Sequence, residues 1–345
     1  MKKIPVIYDG DMGGDDLWAI TLMLAHPDVF DVKGITTVFG NVDVNQATKN
    51  VCDLLAYLGR EDIPVYVGAD APIQGRRMFG DDAYGEGGVG GVFFPENNKK
   101  AEDKNAIDFI VQTLKEANEP ITLIGTGPTS NIAYILLDQP ELGSKIKEVI
   151  AMGGAHKPGP NPNPPHRVGN ITEAAEFNFF QDSFAPNVIA QSGVRFTLMT
   201  ADAPQQYCLT PAFKQRLLDL GSIGEMFVGM TTAVEDMDMT KFGTEGAFMH
   251  DSAVILYLLQ QAGKGEFYAP AKKQAIEVTE SPEEWDQNGA MHLIDDESKN
   301  TWLITETTNV AGIYDALEKG IGYFRKEPSP HLSSRASSTP KRVPK

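Results

Sequence analysis

The sequence predicts an α/β fold with a mostly parallel central sheet flanked by helices, and two features carry that expectation. In the first half, short apolar runs alternate with segments whose apolar residues recur at helical spacing, the pattern of repeated strand–helix units. The residues with chemistry to offer then follow those runs, and ligands in such folds sit beyond the carboxyl ends of the strands. In order, Ile4–Tyr8 reads as a buried strand and Asp15–Ala25 as a helix with Leu17, Ile20 and Leu24 on one face. Gly34–Phe39 is a second strand, Gln46–Leu58 a second helix and Pro64–Val67 a third strand. Asp108–Lys115 is helical, Ile121–Ile124 a strand and Asn131–Leu137 a helix. Lys147–Met152 and Arg195–Met199 are further strands, and Ala253–Leu259 is a late apolar run.

Residues 1–324 read as a single domain, without an internal repeat or an interdomain linker. His156–Arg167 (HKPGPNPNPPHR) is too rich in proline and glycine for helix or sheet and reads as a loop. A lid over a site and plain decoration are both open for it. Residues 325–345 form a basic Ser/Pro-rich tail, expected to be disordered.

The 345 residues carry a formal net charge of −17. A surface so acidic repels phosphate backbones and anionic lipids, which argues against nucleic acid or membrane partners and for a neutral or cationic ligand. Cys52 and Cys208 are the only cysteines, too few for a disulfide framework or a CxxC zinc site. No apolar run approaches the ~18–20 residues of a membrane span, and the N-terminus lacks a signal-like stretch. The cytoplasm is the expected location.

Asp9, Asp11, Asp15 and Asp16 fall within eight residues (DGDMGGDD) between a strand and a helix, with no lysine or arginine between Lys3 and Lys33. Two ionised carboxylates ~4 Å apart repel by roughly 4 kcal/mol at an effective dielectric near 20. Several such pairs need raised pKa values or a cation, and a hard divalent ion such as calcium or magnesium suits oxygen ligands. A solvated turn with one Asp capping the helix uses one acid and leaves three unexplained. An EF-hand places Ile20 where its bidentate glutamate belongs, and a phosphate loop would need the missing Walker lysine. Two other classes remain open: a magnesium-dependent aspartyl-phosphate hydrolase, and a non-enzymatic module that binds sugar or calcium.

Further polar groups follow strands or open helices: Asn41 after Phe39–Gly40, Thr126 in GTGPTSN, Asn170 after Gly169, Glu176 and Asn178 in AEFN, and His250–Asp251 before Ala253–Leu259. Each has an ordinary reading: a turn Asn, a loop Thr, an exposed strand bearing Glu176 and Asn178, a structural His, and Asp251 as a helix cap. Buried together, Asn and Glu side chains match the donors and acceptors of a diol. Composition and spacing thus point to a metal site with polyol recognition.

Taken in order, these segments resemble the inosine–uridine nucleoside hydrolase family. Asp9–Asp16 looks like its DxDPGxDD signature. Asn41 in VFGNV, the GPTSNIA stretch, Met152 in MGGA, Asn170 in GN, AEFN at Ala175–Asn178 and the His250–Asp251 pair are similar to further blocks, in order from residue 4 to about 260. The resemblance implies calcium held by Asp11, Asp16, the Thr126 carbonyl and Asp251, with Asp11 also the general base for water. It implies that Asp15, Asn41, Asn170, Glu176 and Asn178 hold the ribose hydroxyls with Met152 packed nearby. His250 would protonate the leaving base, and Asp9 would stand behind the ligands. The implied reaction is hydrolysis of the N-glycosidic bond of ribonucleosides, in a homodimer or homotetramer. Met12 replaces the signature proline, and Tyr84 in YGEGG stands where a family histidine is found. Between Phe227 and His250, Met230, Met237, Met239, Phe242 and Phe248 occupy the stretch that carries base-contacting tyrosines in some members. The proline-rich loop before Asn170 is longer than usual. These departures bear on base specificity rather than on the ribosyl chemistry.

Overall fold

A computed structural model describes residues 2–74, 84–281 and 283–325; the expected tail, Arg325 apart, lies outside the described residues. β1 (Ile4–Gly10) leads into α1 (Gly14–Leu24), β2 (Phe30–Thr37) into α2 (Val44–Leu58), and β3 (Val65–Tyr66) precedes α3 (Ala106–Glu116). β4 (Ile121–Gly125), α4 (Ser130–Asp138) and β5 (Ile146–Met152) follow, then α5 (Phe177–Gln181), α6 (Phe184–Gln191) and β6 (Phe196–Met199). The remainder comprises α7 (Pro211–Leu218), α8 (Ser222–Gly229), α9 (Thr232–Phe242), α10 (Ser252–Gln261), β7 (Lys272–Lys273), β8 (Ala275–Val278), β9 (Met291–Ile294), β10 (Thr301–Ile304) and α11 (Val310–Gly322).

The main sheet has the order β3-β2-β1-β4-β5-β6-β10-β7. Every pairing in it is parallel except that of the short edge strand β7 with β10. Chain order runs outward in both directions from β1, so β1 and β4 flank a switch point, where a crevice opens beyond the strand ends. Alternating side chains divide the core between the two faces. Val6, Tyr8, Ile124 and Ile150 pack with α1, α2 and α10; Ile7, Leu123, Val149 and Leu198 pack with α3, α4 and α6. With both faces covered, β1 reads as an unbroken buried run, as parallel strands do. β8 and β9 form a separate antiparallel hairpin.

The expected α/β architecture is present, with three differences in detail. The second strand, expected at Gly34–Phe39, starts at Phe30 and ends at Thr37. Its last expected residues leave the ladder because Gly40 turns against Asp11; a Cβ there would lie 1.9 Å from Asp11 Oδ2. Glu176 and Asn178 are not on an exposed strand: both are buried, at the start of the short helix α5. The helices α6–α9 and α11, the strands β7 and β10 and the β8–β9 hairpin had no counterpart in the sequence reading. Cys52 and Cys208 are free thiols. Among the described residues, no helix is long and apolar enough to cross a membrane.

Candidate active site

The acidic loop leaves β1 at the switch point. Asp9, Asp11, Asp15 and Asp16 are all buried. Met12 turns the chain in the left-handed region at φ 52°, which the ring of a proline could not adopt. Its backbone oxygen accepts from Asn50 Nδ2 at 3.0 Å, and its side chain is buried in the core. This loop therefore follows a different backbone path from the one the signature proline would dictate. Asp16 is the most heavily bound of the four: Oδ1 accepts from Thr126 Oγ1 at 2.6 Å and Tyr8 Oη at 3.1 Å, and Oδ2 from Gly13 N at 2.9 Å. The Asn41 backbone N–H donates to Asp11 Oδ2 at 2.6 Å and its side chain to Oδ1 at 3.2 Å. Asp9 points behind the site, where Oδ1 accepts from Thr36 Oγ1 at 2.5 Å and Asn131 Nδ2 at 2.8 Å.

Asp251 arrives from the far end of the chain, at the start of α10. It occupies the cap position but its side chain makes no cap hydrogen bond, so the simple capping role is overturned. Asp15, Asp16 and Asp251 each present an oxygen within 4.8 Å of the other two. The Asp11 carboxyl contacts that of Asp16, and Asp251 that of Asp15. The N-termini of α1 and α10 meet these acids, so both helix dipoles offset part of their charge.

A cavity of about 450 Å³ opens over this cluster, lined by Asp15, Asp251, Thr126, Asn41, Met152 and His250, and by the groups below. Glu176 caps α5, with Oε1 accepting from Asn178 N at 2.9 Å and Oε2 from Gly154 N at 2.9 Å and Phe179 N at 3.2 Å. Asn178 Nδ2 donates to the Thr126 carbonyl at 3.0 Å and the Met152 carbonyl at 3.1 Å, tying the ends of β4 and β5 to α5. Asn170 Oδ1 accepts from Phe177 N at 2.9 Å. Tyr84 is hydrogen-bonded to Asp15.

Burial, the largest cause throughout, raises the pKa of every acid in the cluster. Asp11 and Asp251 lie well above the usual carboxylate range, with repulsion from neighbouring carboxylates adding to the shift. Asp16 is pushed up to about 7, against the pull of its Thr126 bond. Burial also raises Asp9 and Glu176 to about 7. His250 moves the other way, lowered by burial to about 4, and its Nδ1 has no partner among the described residues. Asp15 Oδ1 and Asp251 Oδ2 are likewise buried without a hydrogen bond. Orphaned anionic oxygens facing one another are costly unless a cation binds them. An all-oxygen donor set of carboxylates beside a carbonyl fits a hard divalent ion.

The structure brings the sequence-predicted residues to one place, with one rearrangement. The tightest group of three acids contains Asp15, which the resemblance places on ribose, whereas Asp11 reaches the group through Asp16 and is not among the groups lining the cavity. Of the six Met and Phe residues between Phe227 and His250, only Met237 is among the described lining residues. Met230, Phe242 and Phe248 are core, and Met239 is exposed. Sequence reasoning missed Ile171, Phe177, Val234 and Lys241. The spacing of Val234, Met237 and Lys241, at i, i+3 and i+7, was the available signal for one helix face.

Residues 6–315 match the family described as inosine-uridine preferring nucleoside hydrolase. The pyrimidine-specific ribonucleoside hydrolase RihA of Citrobacter koseri is 34% identical over 259 residues, covering 74% of this chain and 80% of that protein. RihA of Escherichia coli O1:K1 matches to the same extent. Among solved structures, a purine-preferring ribonucleoside hydrolase from Gardnerella vaginalis superposes with a TM-score of 0.81 at 24% identity, over 93% of this chain and 99% of that one. An inosine-uridine preferring nucleoside hydrolase from Bacillus anthracis does so with a TM-score of 0.71 at 17% identity, over the same shares of the two chains. The structural likenesses speak to the fold alone. With the family match spanning most of the chain, and with identity of this degree over three quarters of it, the protein belongs to the inosine-uridine preferring nucleoside hydrolases.

Proposed function

We propose that the protein is a calcium-dependent hydrolase that splits ribonucleosides into free base and ribose. One observation carries the reading: a single cavity is lined both by buried carboxylates with unpartnered oxygens and by the Asn and Glu side chains suited to a diol. Asp11, Asp16, the Thr126 carbonyl and Asp251 would hold the calcium, and the position of Asp15 makes it a further candidate. A cation bound there would lower the pKa of water and offset the clustered charge.

The residues of the chain do the rest. Asp15, Asn41, Asn170, Glu176 and Asn178 orient the ribose hydroxyls beside Met152, and binding energy from these contacts can favour the distorted ring of the transition state. Asp11 takes a proton from the attacking water. The surrounding carboxylates stabilise positive charge as it builds on the sugar. His250 starts neutral, so it gives its N–H proton to the departing base while its other ring nitrogen takes one up from water, and negative charge growing on that base raises the ring's proton affinity locally. A homodimer or homotetramer in the cytoplasm completes the reading.

The test is a panel of uridine, cytidine, inosine, guanosine and adenosine, read as free ribose, with elemental analysis of the purified protein. Uridine and cytidine come first because the 34%-identical relatives are named pyrimidine-specific. Ribose release together with about one calcium per chain supports the proposal. Full activity in metal-free protein would overturn the calcium, and release of phosphate from phosphomonoesters without release of ribose would overturn the reaction.

A further inference from the structure

The cavity lining divides by chemistry. Carboxylates, amides and the Thr126 carbonyl account for the metal and the sugar. Of the other groups, Tyr84, Ile171, Phe177, Val234 and Met237 are aromatic or apolar, as suits the faces of a planar base. Lys241 is the exception, the one lysine or arginine among the described lining residues.

A half-buried cation on an apolar wall calls for an explanation, and the structure holds this one at both ends. Lys241 Nζ donates to the Asn170 carbonyl at 2.5 Å, while its own backbone oxygen accepts from Asn163 N at 2.8 Å. The proline-rich loop thus braces the residue from outside the cavity, and Asn170 aims its ammonium from within. An ammonium has three donors, so two remain after the Asn170 bond. Among the described residues its hydrogen-bond partner is a carbonyl and not a carboxylate, which leaves those two donors to a ligand. Burial, with Arg167 adding repulsion, pulls its pKa below the ordinary lysine range, and the nearby Asp238 opposes the shift.

We propose that Lys241 binds a carbonyl oxygen of the leaving base and stabilises the negative charge that oxygen gains as the glycosidic bond breaks. This rests on the ribonucleoside hydrolase reading of the same cavity. When the bond between the anomeric carbon and the base nitrogen breaks, both electrons leave with the base. They spread from that nitrogen through the ring onto the conjugated carbonyl oxygen. The water oxygen bonds to the anomeric carbon and gives up one proton, the base gains one, and the sum is riboside plus water giving ribose plus base. A point charge on the carbonyl is worth more in the transition state than in the bound substrate, which is what accelerates a reaction. Bases bearing carbonyl groups should therefore be favoured over adenine, which has none.

The experiment compares wild type, Lys241→Met and Lys241→Arg on uridine and on a nitrophenyl riboside, whose leaving group departs without help. Methionine keeps the apolar stem and removes the charge. Lys241→Met should lower kcat/KM on uridine by roughly 10–100-fold, the scale of a lost charged hydrogen bond, with the nitrophenyl riboside little changed. Lys241→Arg should recover part of the uridine rate. The melting temperature is followed alongside, and a merely structural lysine would lower it and slow both substrates together. Equal loss on both substrates, or no loss on uridine, overturns the role of Lys241 while leaving the hydrolase reading intact. Wild-type protein that releases ribose from neither substrate overturns both.

Discussion

On one side of the cavity, Asp15, Asp16, Thr126 and Asp251 stand at the ends of β1 and β4 and at the N-termini of α1 and α10, fully buried and cross-linked by short hydrogen bonds. On another, Val234, Met237 and Lys241 stand on a single helix, α9, with Val234 buried, the other two half-buried and the helix held at its C-terminal end by the proline-rich loop. Gly159 and Asn161 of that loop lie against Phe242 and Gly243, just past Lys241. The acidic side is held from several elements at once, so few substitutions there can be absorbed. The α9 side rests on one helix and one loop, so it can change without disturbing the acidic cluster. The difference suggests a division of labour in which the strand ends meet the cation and the sugar and α9 meets the leaving base. It also gives the proline-rich loop a job: through Asn163, Gly159 and Asn161 it braces the C-terminal end of α9.

The sharpest way to break this division is Asp11→Asn. The amide keeps the shape but cannot accept a proton, and turnover should fall to background, by at least the ~10²–10⁴-fold expected of a general base. Calcium content is measured on the same sample; a fully loaded variant with near-normal turnover would remove Asp11 from the base role. His250→Ala should slow a natural nucleoside by about 10²–10⁴-fold and leave a nitrophenyl riboside nearly untouched. If both substrates slow together and calcium is lost, His250 only supports Asp251, and the boundary between the two sides lies elsewhere.

Asn178→Ala should cost about 1–3 kcal/mol in kcat/KM, because it frees the Thr126 and Met152 carbonyls as well as a ribose contact. Normal turnover of ribosides by that variant would refute its placement on the sugar.

Removing the cation should act on stability, and its pH dependence has a definite sign. Asp9, Asp16 and Glu176 rise from ordinary values near 4 to about 7 on folding, so between those values the native state holds more protons than the unfolded chain. Metal-free protein should therefore be most stable near pH 4 as far as these groups are concerned, and lose that contribution as pH rises through 7. Calcium should restore stability most at the upper end. Thermal melts with chelator and with calcium across that range check this, and a metal-free melting temperature that climbs from pH 5 to 7.5 would contradict it.

The smallest effect belongs to α9. Met237→Leu conserves volume, so it should shift the ratio of uridine to inosine turnover by less than about tenfold and leave calcium content alone. A loss of metal from that variant would show that the two sides are not independent.

Much of the acidic side was legible in the linear sequence because its parts are local. Four acids and three glycines within eight residues, between a strand and a helix, announce a crowded anionic turn before any contact is known. The continuous apolar run of Ile4–Tyr8 and the helical period of Gln46–Leu58 likewise made the sheet and its helices readable. Glu176 was harder, because a residue two positions before Asn178 suits a strand face as well as a helix cap. What decided it was the Gly154 N–H, which comes from the end of β5, 22 residues away. The α9 wall was barely readable, with helical spacing its one signal. Its lining residues, Val234, Met237 and Lys241, carry no common chemistry, and only their shared helical face relates them.

The sequence by itself determined the α/β architecture, the family and the residue types of the site, since these follow from hydrophobic period and from short motifs whose chemistry is local. Only the tertiary structure decided which carboxylates meet. Asp251 lies 235 positions beyond Asp16, and no spacing rule connects them; they face one another because α1 and α10 pack with their N-termini at the same sheet end. The same holds for burial, which turns ordinary aspartates into groups with raised pKa values and His250 into a neutral ring. Proton affinity depends on the surrounding dielectric and on nearby charge, and those are properties of packed neighbours rather than of neighbours in the chain.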